Sequence, residues 1–182
     1  MFKKSLIALT LLTLPLTASA NWSAGAGYAN ISDNEDGNDI SLGVIYGAIA
    51  YEFAKENSPF SFVSEFRIGT GVSDDEGRLL LEEGEFAIPE SANFKVEVER
   101  FTALSVRAQY NYDNGVYLYV MPSYANLDVK VSSMYGSDSD DSWEFGLGGG
   151  VGKKISDKTS VEASYESYDG TDVLTIGFKY AF

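Results

Sequence analysis

The stretch that decides the fold is TDVLTIGFKYAF, Thr171 to Phe182. Leu174, Ile176, Phe178, Tyr180 and Phe182 occupy alternate positions, with Val173, Thr175, Gly177, Lys179 and Ala181 between them. Successive side chains of a β-strand point to opposite faces, so this segment has one large apolar face and one small or polar face. It reads as a strand from end to end, and it closes on an aromatic residue.

The same period of two recurs outward from this strand, interrupted by clusters of Asp, Asn, Gly and Ser, and predicts eight strands in all. The first spans about Asn21 to Ile31, with Trp22, Ala24, Ala26 and Tyr28 opposite Ser23, Gly25 and Gly27; the second covers about Asp39 to Phe53. In the third, about Pro59 to Gly71, Phe60, Phe62, Phe66 and Ile68 oppose Ser61, Val63, Glu65, Arg67 and Gly69. The fourth, about Lys95 to Tyr112, sets Val96, Val98, Thr102, Leu104, Val106 and Ala108 against Glu97, Glu99, Ser105, Arg107 and Gln109. A hairpin turn is expected at Asp113-Asn114-Gly115, because Asn-Gly tolerates positive φ. The fifth strand, Val116 to about Lys130, is apolar on both faces and leaves its orientation open. The sixth, about Ser142 to Lys154, places Trp143, Phe145, Leu147 and Val151 opposite Glu144, Gly146, Gly148, Gly150 and Gly152. The seventh, Thr159 to Tyr168, places Val161, Ala163 and Tyr165 opposite Glu162, Ser164 and Glu166.

At the other end, Lys3 and Lys4 precede an apolar run from Leu6 to Leu16, and Ala18-Ser19-Ala20 offers small residues for cleavage. That is the pattern of a secretory leader, expected over residues 1–20, with residues 21–182 as one exported domain. The apolar run is too short to cross a bilayer as a helix, which takes about 20 residues. Thirteen basic and 27 acidic side chains give the chain a formal charge of −14; two of the bases lie in the leader, so the remainder is more acidic still. Such a balance disfavours nucleic acid as a partner. Without cysteine there is no disulfide framework, and without histidine or cysteine no conventional zinc, copper or haem site. No cofactor is expected.

The sense of the alternation separates two β architectures. A soluble sandwich or lipocalin-like barrel turns its apolar face inward and covers its exterior with Lys, Glu, Asp and Thr. Here the polar face carries glycines and serines suited to a crowded lumen, whereas the apolar face is almost free of charge and suits lipid. Short links follow the second, fourth and sixth strands. Longer acidic ones lie at Ser32 to Asn38, Val72 to Phe94 and Val131 to Asp141, with a small tip at Asp169-Gly170. Short periplasmic turns and longer outer loops are the pattern of an outer-membrane barrel.

Across the whole of residues 21–182 the chain resembles the small eight-stranded outer-membrane barrels of the OmpA, OmpX, Ail and opacity-protein class. The stretches that carry the likeness are Ala50-Tyr51-Glu52-Phe53 through Asn57-Ser58-Pro59, Gly146 to Gly152, Val161 to Tyr168 and Gly177 to Phe182. The resemblance implies an all-β, antiparallel, up-and-down transmembrane barrel in the bacterial outer membrane. It also implies an assembly signal at Phe178, Tyr180 and Phe182 that is read by the barrel assembly machinery.

Inward charges are the first candidate for function: Glu65, Arg67, Glu97, Glu99, Arg107, Glu144, Glu162, Glu166 and Lys179 all fall on the polar face by the parities above. In a narrow lumen opposite charges pair, since an unpaired buried charge is costly. This set reads as a structural plug or, alternatively, as a narrow path that prefers cations because acids outnumber bases, with the glycines leaving room for water. Catalysis is not expected: a serine nucleophile needs a base, most often histidine, and Glu162 with Glu166 reads as two lumen residues of one strand. Asp33 to Asp39 fails as an EF-hand, because the register that puts its glycine at Gly37 puts Gly43 where the bidentate Glu belongs. Asp74-Asp75-Glu76 and Asp138 to Asp141 read as solvated loops.

The loops are the expected seat of recognition. In the longest, Leu79, Leu80, Leu81, Phe86 and Ile88 extend the third and fourth strands or pack as a cap, or else form an apolar ridge for a partner. Tyr51, Phe53, Tyr110, Tyr112, Tyr117, Tyr119, Tyr180 and Phe182 read as an interfacial girdle. The function expected is structural or surface-interactive: membrane integrity, contact with outer-membrane lipid and lipopolysaccharide, or adhesion to a host or cell-surface partner through the loops.

Overall fold

The structure, a computed structural model, describes residues 21–33, 40–54, 58–80, 91–133 and 136–182. The expected leader, residues 34–38 of the first acidic loop with Asp39 after it, and Leu81, Phe86 and Ile88 of the second lie outside the described residues. The strands are β1 (Trp22–Asp33), β2 (Ile40–Ala54), β3 (Phe60–Ser73), β4 (Asp75–Leu80), β5 (Ser91–Asn111), β6 (Val116–Ser133), β7 (Gly136–Lys154), β8 (Thr159–Ser167) and β9 (Thr171–Ala181).

Successive strands pair antiparallel except β3 with β4, and two further ladders close the ring. β9 returns to β1 from Ser23↔Ala181 to Asp33↔Thr171, and β3 pairs with β5 from Phe60↔Tyr110 to Gly69↔Phe101. β4 is not a ninth stave. It carries on from β3 along the same edge of β5, from Asp75↔Val96 to Leu80↔Ser91, so the barrel proper has eight strands with a hairpin standing on it. Of the readings left open for the longest loop, the described part is therefore strand extension. Closure leaves the spanning strands without an open edge, which hydrocarbon requires because nothing there can hydrogen-bond a free N–H or C=O.

The tight turns sit where the sequence places them. At Asp113-Asn114-Gly115 the Gly115 amide donates to the Tyr112 carbonyl (3.0 Å), the Val116 amide to Asn114 Oδ1 (3.0 Å), and Gly115 has φ 78°. Gly170, with φ 81°, serves the β8–β9 turn. At the loop end, where the β8–β9 turn also lies, β6 and β7 stay paired out to Ser133↔Gly136, whereas β8 joins β7 only from Leu147↔Ser167. The stretch expected as loop from Val131 to Asp141 is thus strand through Ser133 and again from Gly136, projecting beyond β8.

The two faces separate along the strands. Phe62, Leu104, Phe145, Leu147 and Ile176 are exposed on the outside, while Ser61, Glu65, Arg67, Ser105, Arg107, Ser164, Glu166 and Thr175 are buried inside. The loop-end half of the interior is apolar, built from Ala29, Ile31, Leu42, Val44, Val96, Val98, Phe101, Ala103, Ala125 and Val173. Toward the turn end it becomes charged.

The faces of β5 and the aromatic girdle differ from the sequence expectation. Val96 and Val98 are buried, and so are Phe101 and Ala103, although the first two have even numbers and the others odd. The register of β5 against β6 shifts between Val98 and Arg100, and one extra residue in a strand exchanges its faces from that point on. Glu97 and Glu99 therefore leave the lumen: they are 38% and 49% exposed, pair with Lys95 (3.2 Å) and Lys130 (3.8 Å), and lie on the outer surface of the extension. There Lys95 also hydrogen-bonds Asp74 at 2.6 Å, which holds the exposed Asp74 carboxyl below its usual range.

The second correction concerns the girdle. Tyr117 and Tyr119 are buried with Met121 inside the barrel and do not belong to it. Trp22, Tyr51 and Phe53 do stack edge to face outside, as do Phe60, Tyr110 and Tyr112.

Candidate functional site

The middle of the lumen holds six charged side chains from four strands. Arg67, projecting from β3, meets Glu166 of β8 in a bidentate pair, Nη1–Oε1 2.6 Å and Nη2–Oε2 2.7 Å, geometry that suits the planar guanidinium fork. Arg107 from β5 donates Nη2 to Glu65 Oε2 (2.8 Å) and Nη1 to both Glu162 oxygens (3.0 Å each). Lys179 from β9 bridges Glu65 and Glu162, the latter at 3.0 Å. Three cations face three carboxylates, so the cluster is neutral. Burial is nearly complete, with Arg67 and Arg107 at 2% exposure and Glu166 at 0%.

Tyrosines complete it. Tyr117 donates to Glu162 (2.7 Å), Tyr168 to Glu166 (2.9 Å) while also bonding Ser123 (2.9 Å), and the Arg107 guanidinium lies 4.3 Å from the centre of the Tyr119 ring. Room for these rings comes from the glycines. A Cβ on Gly152 would strike the Tyr117 ring, on Gly150 that of Tyr119, on Gly146 that of Tyr168, and on Gly27 that of Tyr46. These four of the glycines expected to admit water thus admit aromatic rings, while Gly25 and Gly148 abut Lys179 and Glu166.

Of the nine charges expected in the lumen, six come together. Glu97 and Glu99 are outside, and Glu144 stands apart at the loop end, accepting a hydrogen bond from Ser142 Oγ (3.0 Å). The acidic excess of the expected set disappears with those three. Tyr46, Tyr117, Tyr119 and Tyr168 are the participants that sequence reasoning missed. Their signal is in the pairing: Tyr117 and Tyr119 stand opposite Gly152 and Gly150, and Tyr46 opposite Gly27 and Gly69.

On either side of the cluster lies a cavity. The loop-end one, about 190 Å³, is lined chiefly by Ile31, Phe101, Ala125, Leu127, Val129 and Val173, with Glu144 and Tyr168. The turn-end one, about 160 Å³, is polar and reaches Arg107, Glu162, Lys154, Lys158 and Lys179. The charged cluster separates them. Chemically the arrangement ties four strands together across the lumen.

Comparison with known proteins agrees with this architecture. Ail, the attachment invasion locus protein of Yersinia pestis, solved in complex with the heparin analogue sucrose octasulfate, is 21% identical and covers 91% of this chain and 100% of its own, with a TM-score of 0.60. Neisserial surface protein A is 13% identical over 88% of this chain and 97% of its own, with a TM-score of 0.54. The N-terminal β-barrel domain of Pseudomonas aeruginosa OprF is 12% identical over 91% and 100%, also at 0.54. At these identities the likeness is one of fold. A search of curated proteins finds no match. The family model described as the outer membrane protein beta-barrel domain matches residues 5–182, and with nearly its whole length covered the chain belongs to that family.

Proposed function

We propose that this protein is exported by a leader cleaved after Ala20 and serves in the outer membrane as a non-enzymatic, closed barrel that carries its function on its outer surface. The observation that supports this reading best is the neutral, tyrosine-packed cluster of Arg67, Arg107, Lys179, Glu65, Glu162 and Glu166 across the lumen. A barrel filled this way is a rigid support, and the hairpins of β3–β5 and β6–β7 that rise above it are what another molecule meets. Phe178, Tyr180 and Phe182 are the proposed recognition signal for the assembly machinery. Lipid contacts the exposed apolar band, and lipopolysaccharide contacts its loop-end rim.

The crystal of Ail contains the heparin analogue sucrose octasulfate, a polysulfate. On this chain the described loop-end side chains are mainly acidic, among them Asp74, Glu97, Glu99, Asp128, Asp138 and Asp141, against Lys95, Arg100 and Lys130. Surface recognition here accordingly favours cationic or neutral partners, or phosphate reached through divalent cations.

The competing reading is a narrow cation-preferring pore. Planar-bilayer recording of the purified protein tests the choice. Silent membranes at ordinary salt are the expected result; reproducible unitary steps with cation selectivity would overturn the closed-barrel reading in favour of the pore.

A further inference from the structure

We propose that the loop-end cavity is a binding site for a small organic ammonium ion with an aromatic or branched-alkyl body. Two independent features converge there. The first is the wall: Ile31, Phe101, Leu127, Val129 and Val173 line a space of about 190 Å³ at the mouth of a lumen whose other half is charged. A space of this size is large enough for a benzene-sized guest, and polar groups of Ser142, Glu144, Tyr168 and Thr171 join the apolar wall. The floor is closed, since Tyr168, which lines the cavity, is held by Ser123 and Glu166 beneath it. That limits the guest to roughly one ring.

The second feature is Glu144. Glu65, Glu162 and Glu166 are each paired with arginine or lysine, whereas Glu144, on the same cavity wall, receives only the Ser142 hydroxyl and has no ion-pair partner among the described residues. A carboxylate beside an apolar slot calls for a cation with an apolar body. The ring would lie against Phe101 and Val173, and the ammonium would reach Glu144 at the rim. The strongly acidic chain raises the local concentration of such cations. This site does not depend on what the outer hairpins recognise.

The test uses the full barrel in phosphatidylcholine nanodiscs, titrated with benzylamine and, as its uncharged counterpart, benzyl alcohol, with methyl NMR as the readout. Saturable shifts are expected at Val129 and Val173 but not at the lipid-facing Leu174 and Ile176. Benzylamine should bind about fivefold more tightly than the alcohol, the scale of one partly exposed ion pair. Glu144→Gln, which preserves size, should erase that preference, and Ala125→Phe, which fills the slot, should remove binding of both. Shifts that never saturate, equal shifts on the lipid-facing methyls, or an amine preference that survives in Glu144→Gln would overturn the proposal. The Glu144→Gln arm decides it even if Ala125→Phe does not fold.

Discussion

Replacing Arg67 by alanine is expected to cost about 3–5 kcal/mol of stability, measured by urea unfolding in detergent with Trp22 and Trp143 fluorescence as the reporter. Removing the guanidinium leaves the Glu166 carboxylate, wholly buried, with only the Tyr168 and Ser123 hydroxyls beside it. Most of the loss is the desolvation of that abandoned charge, because the pair itself nets little: in the intact barrel its Coulombic gain mainly offsets the cost of dehydrating both ions. Arg67→Met together with Glu166→Met removes both charges and fills the space, so the double variant should recover at least half of what Arg67→Ala loses. Equal losses in the single and double variants would mean that the cluster stabilises through something other than charge pairing. A single variant within about 0.5 kcal/mol of the parent, the range of an unimportant surface change, would mean that Arg67 is not buried as described.

Ile176→Arg should cost about 2–4 kcal/mol in a bilayer, the depth-dependent cost of a cation on the lipid face near the midplane of a barrel. Ile176 is 65% exposed and lies in the middle of β9, opposite Tyr28 on one side and Ala163 on the other. In a soluble barrel an isoleucine so exposed could become arginine with almost no effect. The size of the loss therefore reports the solvent that surrounds the barrel. Reversible folding into phosphatidylcholine bilayers, followed by the heat-dependent shift in gel mobility, provides the measurement. A neutral outcome would place this face in water.

Much of this was legible from the alternation alone. On β7, β8 and β9, and on β3 as far as Gly71, one parity holds along the strand, so the inward positions of Glu65, Arg67, Glu162, Glu166 and Lys179 follow from counting. β5 defeats counting because its faces exchange at Glu99-Arg100. The clue there is local: two adjacent charged residues, followed by Phe101 on what would have been the polar side, break the period where the ladder register shifts. β6 could not be oriented from its own residues, since Tyr117, Tyr119 and Met121 are as apolar as Leu118 and Val120. What decides it is the neighbour. Gly150 and Gly152 on β7 leave space on the lumen side that only large side chains fill, and that complementarity is a property of paired strands. The pairing of particular charges is likewise beyond sequence, for Arg67 meets Glu166, 99 residues away, only once the ring has closed.

On β9 the two faces meet different surroundings, the large apolar one lipid and the small polar one the lumen. Because the chain contains no cysteine, a nitroxide can be placed at single introduced cysteines along β9 and its accessibility read in nanodiscs. Labels at Leu174, Ile176 and Phe178 should be relaxed strongly by oxygen dissolved in the lipid, and labels at Val173 and Thr175 weakly by both oxygen and a water-soluble nickel complex, giving a period of two. Nickel-accessible labels at Leu174, Ile176 and Phe178, or accessibility that does not alternate, would contradict the account.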